Sequence, residues 1–268
     1  MLHTRPAAVA GFFYPGSRTA LASDVRERIA EAPAGHGPVP KALIVPHAGY
    51  VYSGPIAAAG YATLAAARDT IRRVVLFGPA HRVAVRGLAL PEAHAFATPL
   101  GTVDIDRDAV ERVRHLRQVV ERDDVHAHEH ALEVQLPFLQ TVLADFRLVP
   151  FAVGQATAED VAEVMDALWG GPETLVVVSS DLSHYHPYAT ARAIDRATAD
   201  SVLKLAGALD HEQACGATPI NGLVACARAR KLAPALLDLR NSGDTAGDRS
   251  RVVGYAAFAF TQQARHDA

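Results

Sequence analysis

The chain of 268 residues has little of what marks secreted, membrane-bound or nucleic-acid-binding proteins. Its two cysteines, Cys215 and Cys226, are too few for a disulfide scaffold, so we expect a reduced, cytoplasmic setting with free thiols. No apolar run approaches the roughly 20 residues that cross a bilayer, and the amino terminus lacks a signal-peptide pattern. Net charge is −3 and the basic residues, mostly arginine, are scattered. We therefore expect no nucleic-acid or membrane partner.

Short aliphatic runs alternate with segments of helical spacing along the whole chain. Runs typical of buried strands occupy 42–46, 73–77, 146–153, 175–178 and 251–260. Helices are predicted over 17–32, 55–67, 106–120, 129–144, 157–169, 188–209 and 218–230. With no repeat and no low-complexity segment, this alternation predicts a single α/β domain over 1–268, built on a mostly parallel sheet with flanking helices.

Three of the strand-like runs lead directly to a histidine. His47 follows the first run, His81 the second, and His184 the fourth. Ligands of open α/β sheets bind outside the carboxyl ends of the strands, so three imidazoles at one edge suggest a metal or acid/base site. For His47 and His81, each in a Pro- and Gly-containing turn, the alternative is a histidine that only caps its turn.

Asp181 stands three residues before His184. On the first turn of a helix the two side chains would share one face, and the carboxylate could orient the imidazole for acid/base work. The alternative for Asp181 is a simple helix cap.

Cys215 precedes a helix whose start is marked by Thr218 as cap and Pro219 at the first turn. A helix start lowers the pKa of a thiol and favours the thiolate that binds metals, although a lone cysteine is also a common small core residue. Cys226, inside the helix, is predicted to be structural.

The stretch from His126 to His130 resembles a metal-binding loop, but its alternation also fits a solvated segment. His130 and Glu133 would share one face of the following helix, so we favour these two over His126 and His128. No phosphate-binding Walker loop, dinucleotide glycine motif, zincin motif or nucleophile elbow occurs.

Seven segments in order, from residue 5 to about 260, resemble the Memo family, also called AmmeMemoRadiSam system protein B in bacteria and archaea. They are AGFFYP (10–15), PHAGYVYSG (46–54), GPAH (78–81), EHALEVQLP (129–137), SSDLSH (179–184), CGATPI (215–220) and GYAA (254–257). The sequence departs from the family pattern at Arg82, Thr218 and Phe13, which concern the rim of the expected site.

The resemblance implies a fold similar to the class III extradiol ring-cleaving dioxygenases, which hold non-haem Fe(II) with two histidines and a carboxylate. It also implies that a cysteine replaces the carboxylate, so that His47, His81 and Cys215 become the ligands of one metal ion. His184 would then be the acid/base group, with Asp181 beside it. Fe(II) is the expected metal and copper the alternative, since a thiolate is a soft ligand.

The function expected from this site is that of a metal-dependent redox enzyme, resembling a dioxygenase, that acts on a small and aromatic substrate. We expect Phe13, Tyr52, His130 and Glu133 to contact that substrate, and proteins of the AmmeMemoRadiSam system to be partners. Two alternatives stay open. One is a non-catalytic protein that binds a peptide in the same cleft, as proposed for animal Memo proteins, and the other is a metal-dependent hydrolase.

Overall fold

The central feature of the fold is a mixed β-sheet with helices packed on its faces. A computed structural model of the chain describes residues 3–33 and 37–262; Met1 and Leu2, at the amino terminus used above to predict that no signal peptide is present, lie outside these residues. The strands are β1 (Thr4–Arg5), β2 (Ala42–Val45), β3 (Arg73–Pro79), β4 (Leu88–Leu90), β5 (Ala95–Thr98), β6 (Gly101–Asp104), β7 (Val119–Glu121), β8 (Arg147–Val153), β9 (Thr174–Ser179), β10 (His184–His186), β11 (Leu232–Asn241) and β12 (Val252–Gln262).

The main sheet has the strand order β10-β12-β2-β9-β3-β8-β4-β7, and β11 pairs with β12. Its centre, β2-β9-β3-β8, is parallel, and β4 pairs parallel with β7. The pairings of β10, β11 and β2 with β12, and of β4 with β8, are antiparallel. The α/β class is confirmed, with parallel pairing concentrated at the centre of a mixed sheet. Strands β1, β5 and β6 form a separate small sheet.

The central strands are buried on both faces, as aliphatic runs without polar alternation predict. Every residue of β2 and β9 is buried, and in β3 every residue after Arg73 is buried. The helices that cover them are α1 (Arg18–Glu31), α2 (Tyr50–Ala62), α3 (Arg107–Glu111), α4 (Asp123–Ala127), α5 (Leu136–Val142), α6 (Ala158–Ala167), α7 (Tyr188–Leu203), α8 (Ala217–Ala229) and α9 (Ser242–Thr245).

Three of the predicted helices differ from the structure in their length, start or cap. Asp106 does cap α3, accepting a hydrogen bond from the Ala109 backbone, but the helix ends at Glu111 and residues 119–121 form strand β7. The helix predicted over 129–144 is reduced to a 3₁₀ turn at 133–135 followed by α5. Helix α8 is capped at Gly216 without a side-chain hydrogen bond, so Thr218 is not its cap. Tertiary packing overrides weak local preference in such segments.

His126 is a buried part of this fold, 1% exposed. Its Nε2 donates to the carbonyl of Ala89, and its own carbonyl accepts a hydrogen bond from the Arg5 Nε. Burial lowers the pKa of His126 to about 4. The imidazole is therefore neutral in the folded protein and contributes to structure, in agreement with the preference for His130 over His126 as a site residue.

We predict that the stability of the metal-free protein falls as pH drops from 6.5 to 4, and that His126 accounts for part of this. Its pKa is lower folded than unfolded, so the unfolded chain binds the extra proton in this window and stability is lost there. One such group contributes at most about 1.4 kcal/mol per pH unit. Urea unfolding at several pH values should show a shallower slope for His126→Gln than for the exposed control His115→Gln; equal slopes would contradict the assignment.

Candidate metal centre

Three imidazoles converge outside the carboxyl ends of the central parallel strands. His47 follows β2 and His81 follows β3, and β9 lies between these two strands. His130 comes from the loop before the 3₁₀ turn at 133–135. The rings of His47 and His81 are 5.1 Å apart between centroids, and one nitrogen from each of the three rings lies within 4.8 Å of the others. These histidines could hold a metal ion.

The hydrogen bonds around Ser179 fix which nitrogen of His47 is free. The Ser179 hydroxyl donates to the carbonyl of Ala131 at 2.6 Å, so it accepts from the Nδ1 of His47 at 3.0 Å. Gln135 donates to the same oxygen at 2.7 Å. The proton of His47 is therefore on Nδ1, and Nε2 presents a lone pair. Burial lowers the pKa of His47 to about 3, which keeps the ring neutral.

Glu129 engages the Nδ1 of His81, as Ser179 engages that of His47. Its Oε1 accepts from the Nδ1 of His81 at 2.9 Å, and its Oε2 accepts from the His81 backbone at 2.6 Å. Burial by itself raises the pKa of Glu129, but the hydrogen bonds from His81 and Ala131 outweigh it and hold the pKa at about 2. The Nε2 of His81 is thus left free, in the manner of the carboxylate–histidine pairs that orient metal ligands.

His130 stacks on His81 with a centroid distance of 4.8 Å, and the rings of Phe13 at 4.7 Å and His47 at 5.4 Å are its other aromatic neighbours. Burial lowers the pKa of His130 to about 4. Its buried Nδ1 lies 3.4 Å from the Oε1 of Glu129 but forms no hydrogen bond within the described part of the chain. A buried nitrogen without a partner is costly unless something else binds it, so His130 suits a ligand that the protein itself does not supply.

Cys215 contacts this cluster through His47. Its Sγ lies 3.3 Å from the Nε2 of His47 and 3.6 Å from the carbonyl of Asp181. Burial, and next the charge of Asp181, raise the pKa of the Cys215 thiol to about 12. The sequence-based expectation of a lowered pKa is therefore wrong for the metal-free protein, because desolvation outweighs the nearby helix start. Cys226 is buried, and its thiol donates to the carbonyl of Ala162.

Asp181 and His184 do not form the predicted pair on a helix. Residues 180–183 are not helical, and His184 begins strand β10. Asp181 instead accepts a hydrogen bond from the His47 backbone at 2.7 Å, and its other oxygen lies 4.0 Å from the His47 Nε2. In the described chain no hydrogen bond joins Asp181 to His184. Asp181 therefore positions His47 and leaves the orientation of His184 to the backbone of β10.

The neighbours of His184 hold its backbone firmly. Asp195 accepts a hydrogen bond from the Ser183 backbone at 3.0 Å, and the Gly254 backbone donates to the Ser183 carbonyl at 2.8 Å. His184 pairs with Val253 on β12. The half-buried imidazole faces the same cleft as the three-histidine cluster, so it is within reach of a molecule bound there.

The cleft has a volume of about 950 Å³, the size of a small-molecule site. Its floor carries His47, His81, His130, Asp181 and Cys215, and its walls include His184. Phe13 and Tyr52, two of the residues predicted to contact substrate, lie in the wall. Other lining residues are Arg82, Tyr185, His211, Glu212, Asp248, Arg251 and Tyr255.

Glu133, the remaining residue predicted to contact substrate, does not line the cleft. It is fully buried, and its carboxylate accepts from Arg5 at 2.6 Å, Tyr14 at 2.6 Å and the backbones of Ala8 and Val9. His130 and Glu133 share no helix face, because the chain is not helical before 133. The prediction for Glu133 is therefore wrong: its acceptors tie the amino-terminal segment to the core.

Sequence reasoning missed the residues that orient the histidines. Glu129 and Ser179 were part of recognisable motifs, but only tertiary contacts give them their partners. One signal was present: Ser179 is the last residue of a strand that otherwise consists of apolar residues and Thr174. A hydroxyl at that place needs a hydrogen-bond partner at the carboxyl edge of the sheet.

Comparison with known proteins identifies the family. The model of the Memo-like protein family matches residues 5–259. A MEMO1 family protein of Aeropyrum pernix is 36% identical over 279 residues, covering 94% of this chain and 98% of that protein. One of Methanosarcina acetivorans is 36% identical, covering 96% and 98%, and one of Nitrosopumilus maritimus is 31% identical, covering 96% and 99%. The chain belongs to the Memo-like family, as its motifs predicted.

Among solved structures, an uncharacterized protein of Escherichia coli K12, JW3007, aligns with a TM-score of 0.47 and 14% identity. The alignment covers 81% of this chain and 98% of that one. Separately, no helix within residues 3–33 and 37–262 is long and apolar enough to cross a membrane.

We predict that Glu133→Ala destabilises the protein by about 3–5 kcal/mol, because it leaves the buried guanidinium of Arg5 without its carboxylate. Urea unfolding measures this loss, with Glu31→Ala, an exposed position on α1, as the control. Metal content per folded molecule should not change. Unchanged stability combined with weaker ligand binding would return Glu133 to the substrate site.

Proposed function

We propose that this protein is a metal-dependent redox enzyme that uses one Fe(II), with copper as the alternative, to transform a small aromatic substrate in the cleft. The observation that carries the proposal is the pair His47 and His81. Both rings have their Nδ1 engaged, by Ser179 and Glu129, and both direct the Nε2 lone pair toward a cleft of substrate size, where the Nε2 of His47 already lies 3.3 Å from the Cys215 Sγ. Imidazoles oriented in this way are suited to bind a metal ion through Nε2.

The donor set suits a redox-active metal. His47 and His81 would hold it, and Cys215, with its sulfur against the Nε2 of His47, would be the third ligand. A thiolate with two imidazoles favours iron or copper over the hard cations. When bound, such a metal with open positions supplies electron transfer and oxygen chemistry to a substrate beside it. The neutral thiol would lose its proton on metal binding, as coordination of cysteine requires.

His130 is the competing third ligand. It belongs to the group of donors within 4.8 Å, and its Nδ1 forms no hydrogen bond in the described structure. We assign it to the substrate because it also packs on Phe13 in the wall of the cleft. There it would accept or donate a hydrogen bond at the face of a bound ring.

His184 would act as the acid/base group. It faces the cleft from a separate strand, and its backbone is fixed through Ser183 by Asp195 and Gly254. It can hold or release a proton at its imidazole without being needed to retain the metal. Asp181 supports the site indirectly by holding the His47 backbone.

One observation favours a second candidate function, the binding of a peptide or protein partner at this cleft. Exposed large apolar side chains are concentrated on or next to its rim: Phe12 is 89% exposed, Tyr185 62% and Val51 58%. Exposed apolar patches often mark interaction sites. Proteins of the AmmeMemoRadiSam system are the partners we propose for it. Binding of such a partner to protein stripped of metal, without oxygen consumption by the loaded protein, would favour this function.

We predict that His47→Ala, His81→Ala and Cys215→Ser each lose most of the bound metal. Elemental analysis of protein purified without oxygen should find about one iron, or one copper, per wild-type chain and little in these variants. His130→Gln and the control Cys226→Ser should retain it. If Cys215→Ser keeps its metal and His130→Gln loses it, the third ligand is His130 and not the Cys215 thiol. If His47→Ala and His81→Ala both keep their metal, the proposed metal site is wrong.

We predict that His184→Ala keeps its metal but loses activity. General acid/base groups contribute roughly 10²–10⁴-fold to rate, so oxygen consumption with a panel of phenolic compounds should fall by that factor. His186→Ala, two residues along β10 and outside the cleft wall, is the matched control. If His184→Ala is devoid of metal, His184 is a ligand and the division of roles is wrong.

A further inference from the structure

Two guanidinium groups face the cleft without a carboxylate partner. Arg82 follows the proposed ligand His81, and Arg251 precedes strand β12. Across residues 3–33 and 37–262, neither side chain forms an ion pair or a hydrogen bond to a protein group, whereas several other arginines do. Arginine binds carboxylates through a planar, charge-assisted contact.

Arg251 is held in place by an aromatic ring. Its guanidinium carbon lies 5.2 Å from the centroid of the Tyr185 ring, the geometry of a cation–π contact. Tyr185 is 62% exposed and has a φ of +62°, in the left-handed region that bulky residues rarely adopt. Strain of this kind is retained mostly at functional positions. Here it places the ring on the lip of the cleft, directly after His184.

The two acidic side chains on the same rim form no ion pair with Arg251 within residues 3–33 and 37–262. The Oδ1 of Asp248 accepts hydrogen bonds from the backbone and the hydroxyl of Ser250, which hold this carboxylate toward Ser250. Glu212 also lines the cleft, and its carboxylate makes no ion pair in the described chain. The negative charges of Asp248 and Glu212 repel any anion bound at Arg251. This repulsion is weaker for a carboxylate, with one delocalised negative charge, than for a phosphate dianion.

We propose that Arg251, positioned by Tyr185 and assisted by Arg82, binds the anionic group of the substrate, and that the substrate class is a flat aromatic carboxylate. The proposal rests on the proposed function, since it places the ring of such an acid between the metal-binding floor and the aromatic wall of Phe13 and Tyr52. The carboxylate would then reach the rim, where the guanidinium of Arg251 lies against the Tyr185 ring.

The test is a comparison of an acid with its neutral amide. Calorimetry under anaerobic conditions would measure binding of 4-hydroxybenzoate and 4-hydroxybenzamide to the iron-loaded and the metal-free protein. We expect the acid to bind about 10-fold or more tightly than the amide. Arg251→Ala should abolish that preference, and Tyr185→Ala should reduce it while Tyr185→Phe, which keeps the ring, retains it. Arg26→Ala, at an exposed arginine on α1 that does not line the cleft, is the charge-matched control.

Equal binding of acid and amide, no binding of either to both forms of the protein, or an acid preference that survives in Arg251→Ala would overturn the proposal. Tighter binding of phenyl phosphate than of benzoate would overturn the carboxylate assignment. The metal content of the same samples distinguishes failure of the proposed metal-dependent function from failure of the proposed anion site at Arg251. If the wild type holds no metal, the proposed function fails, while the acid–amide comparison in metal-free protein still decides on Arg251.

Discussion

The parallel alignment of β2, β9 and β3 brings the histidines of the site to one edge of the sheet. Val45 pairs with Ser179, and Phe77 pairs with Val178, so the three strands end at one level. Because the three strands are parallel, the segments that follow them all start from the same edge of the sheet. His47, His81 and the residues after Ser179 meet there without any of them being close in sequence.

A network of buried polar groups then orients the imidazoles of His47 and His81. The Ser179 hydroxyl donates to the carbonyl of Ala131 and accepts from Gln135 and His47, so its donor and both acceptor positions are used. It can therefore only accept from the Nδ1 of His47. Glu129 accepts three hydrogen bonds at the opposite side of the cluster. Buried polar groups are stable only when they are satisfied, and this satisfaction directs the Nε2 atoms of His47 and His81 outward into the cleft.

The amino-terminal segment is fixed by a second network that involves Arg5, Tyr14 and Glu133. The Glu133 carboxylate lies fully buried and is reached by side chains and backbone more than 115 residues away in sequence. This contact brings the loop of Phe12 and Phe13 over the end of β2, where the Phe13 carbonyl accepts a hydrogen bond from the Tyr50 backbone. A residue predicted to bind substrate therefore acts on the cleft at a distance, by placing its aromatic wall.

The α/β class, the positions of the central strands, the histidines at their ends and the family could all be predicted from the sequence. All of these depend on local patterns, namely aliphatic runs, turn residues and motifs in order.

The sequence could not determine the length of the helix after Asp106, the existence of β11 or the strand at His184. Tertiary packing determines the secondary structure of these segments more than their local helix or strand propensity does. The burial of Glu133, the contact of Asp181 with His47 instead of His184, and the roles of Glu129 and Ser179 in orienting the imidazoles became visible in the folded structure alone. Those assignments depend on which distant groups meet in a desolvated interior, and burial changes both the hydrogen-bond partners and the pKa of a side chain.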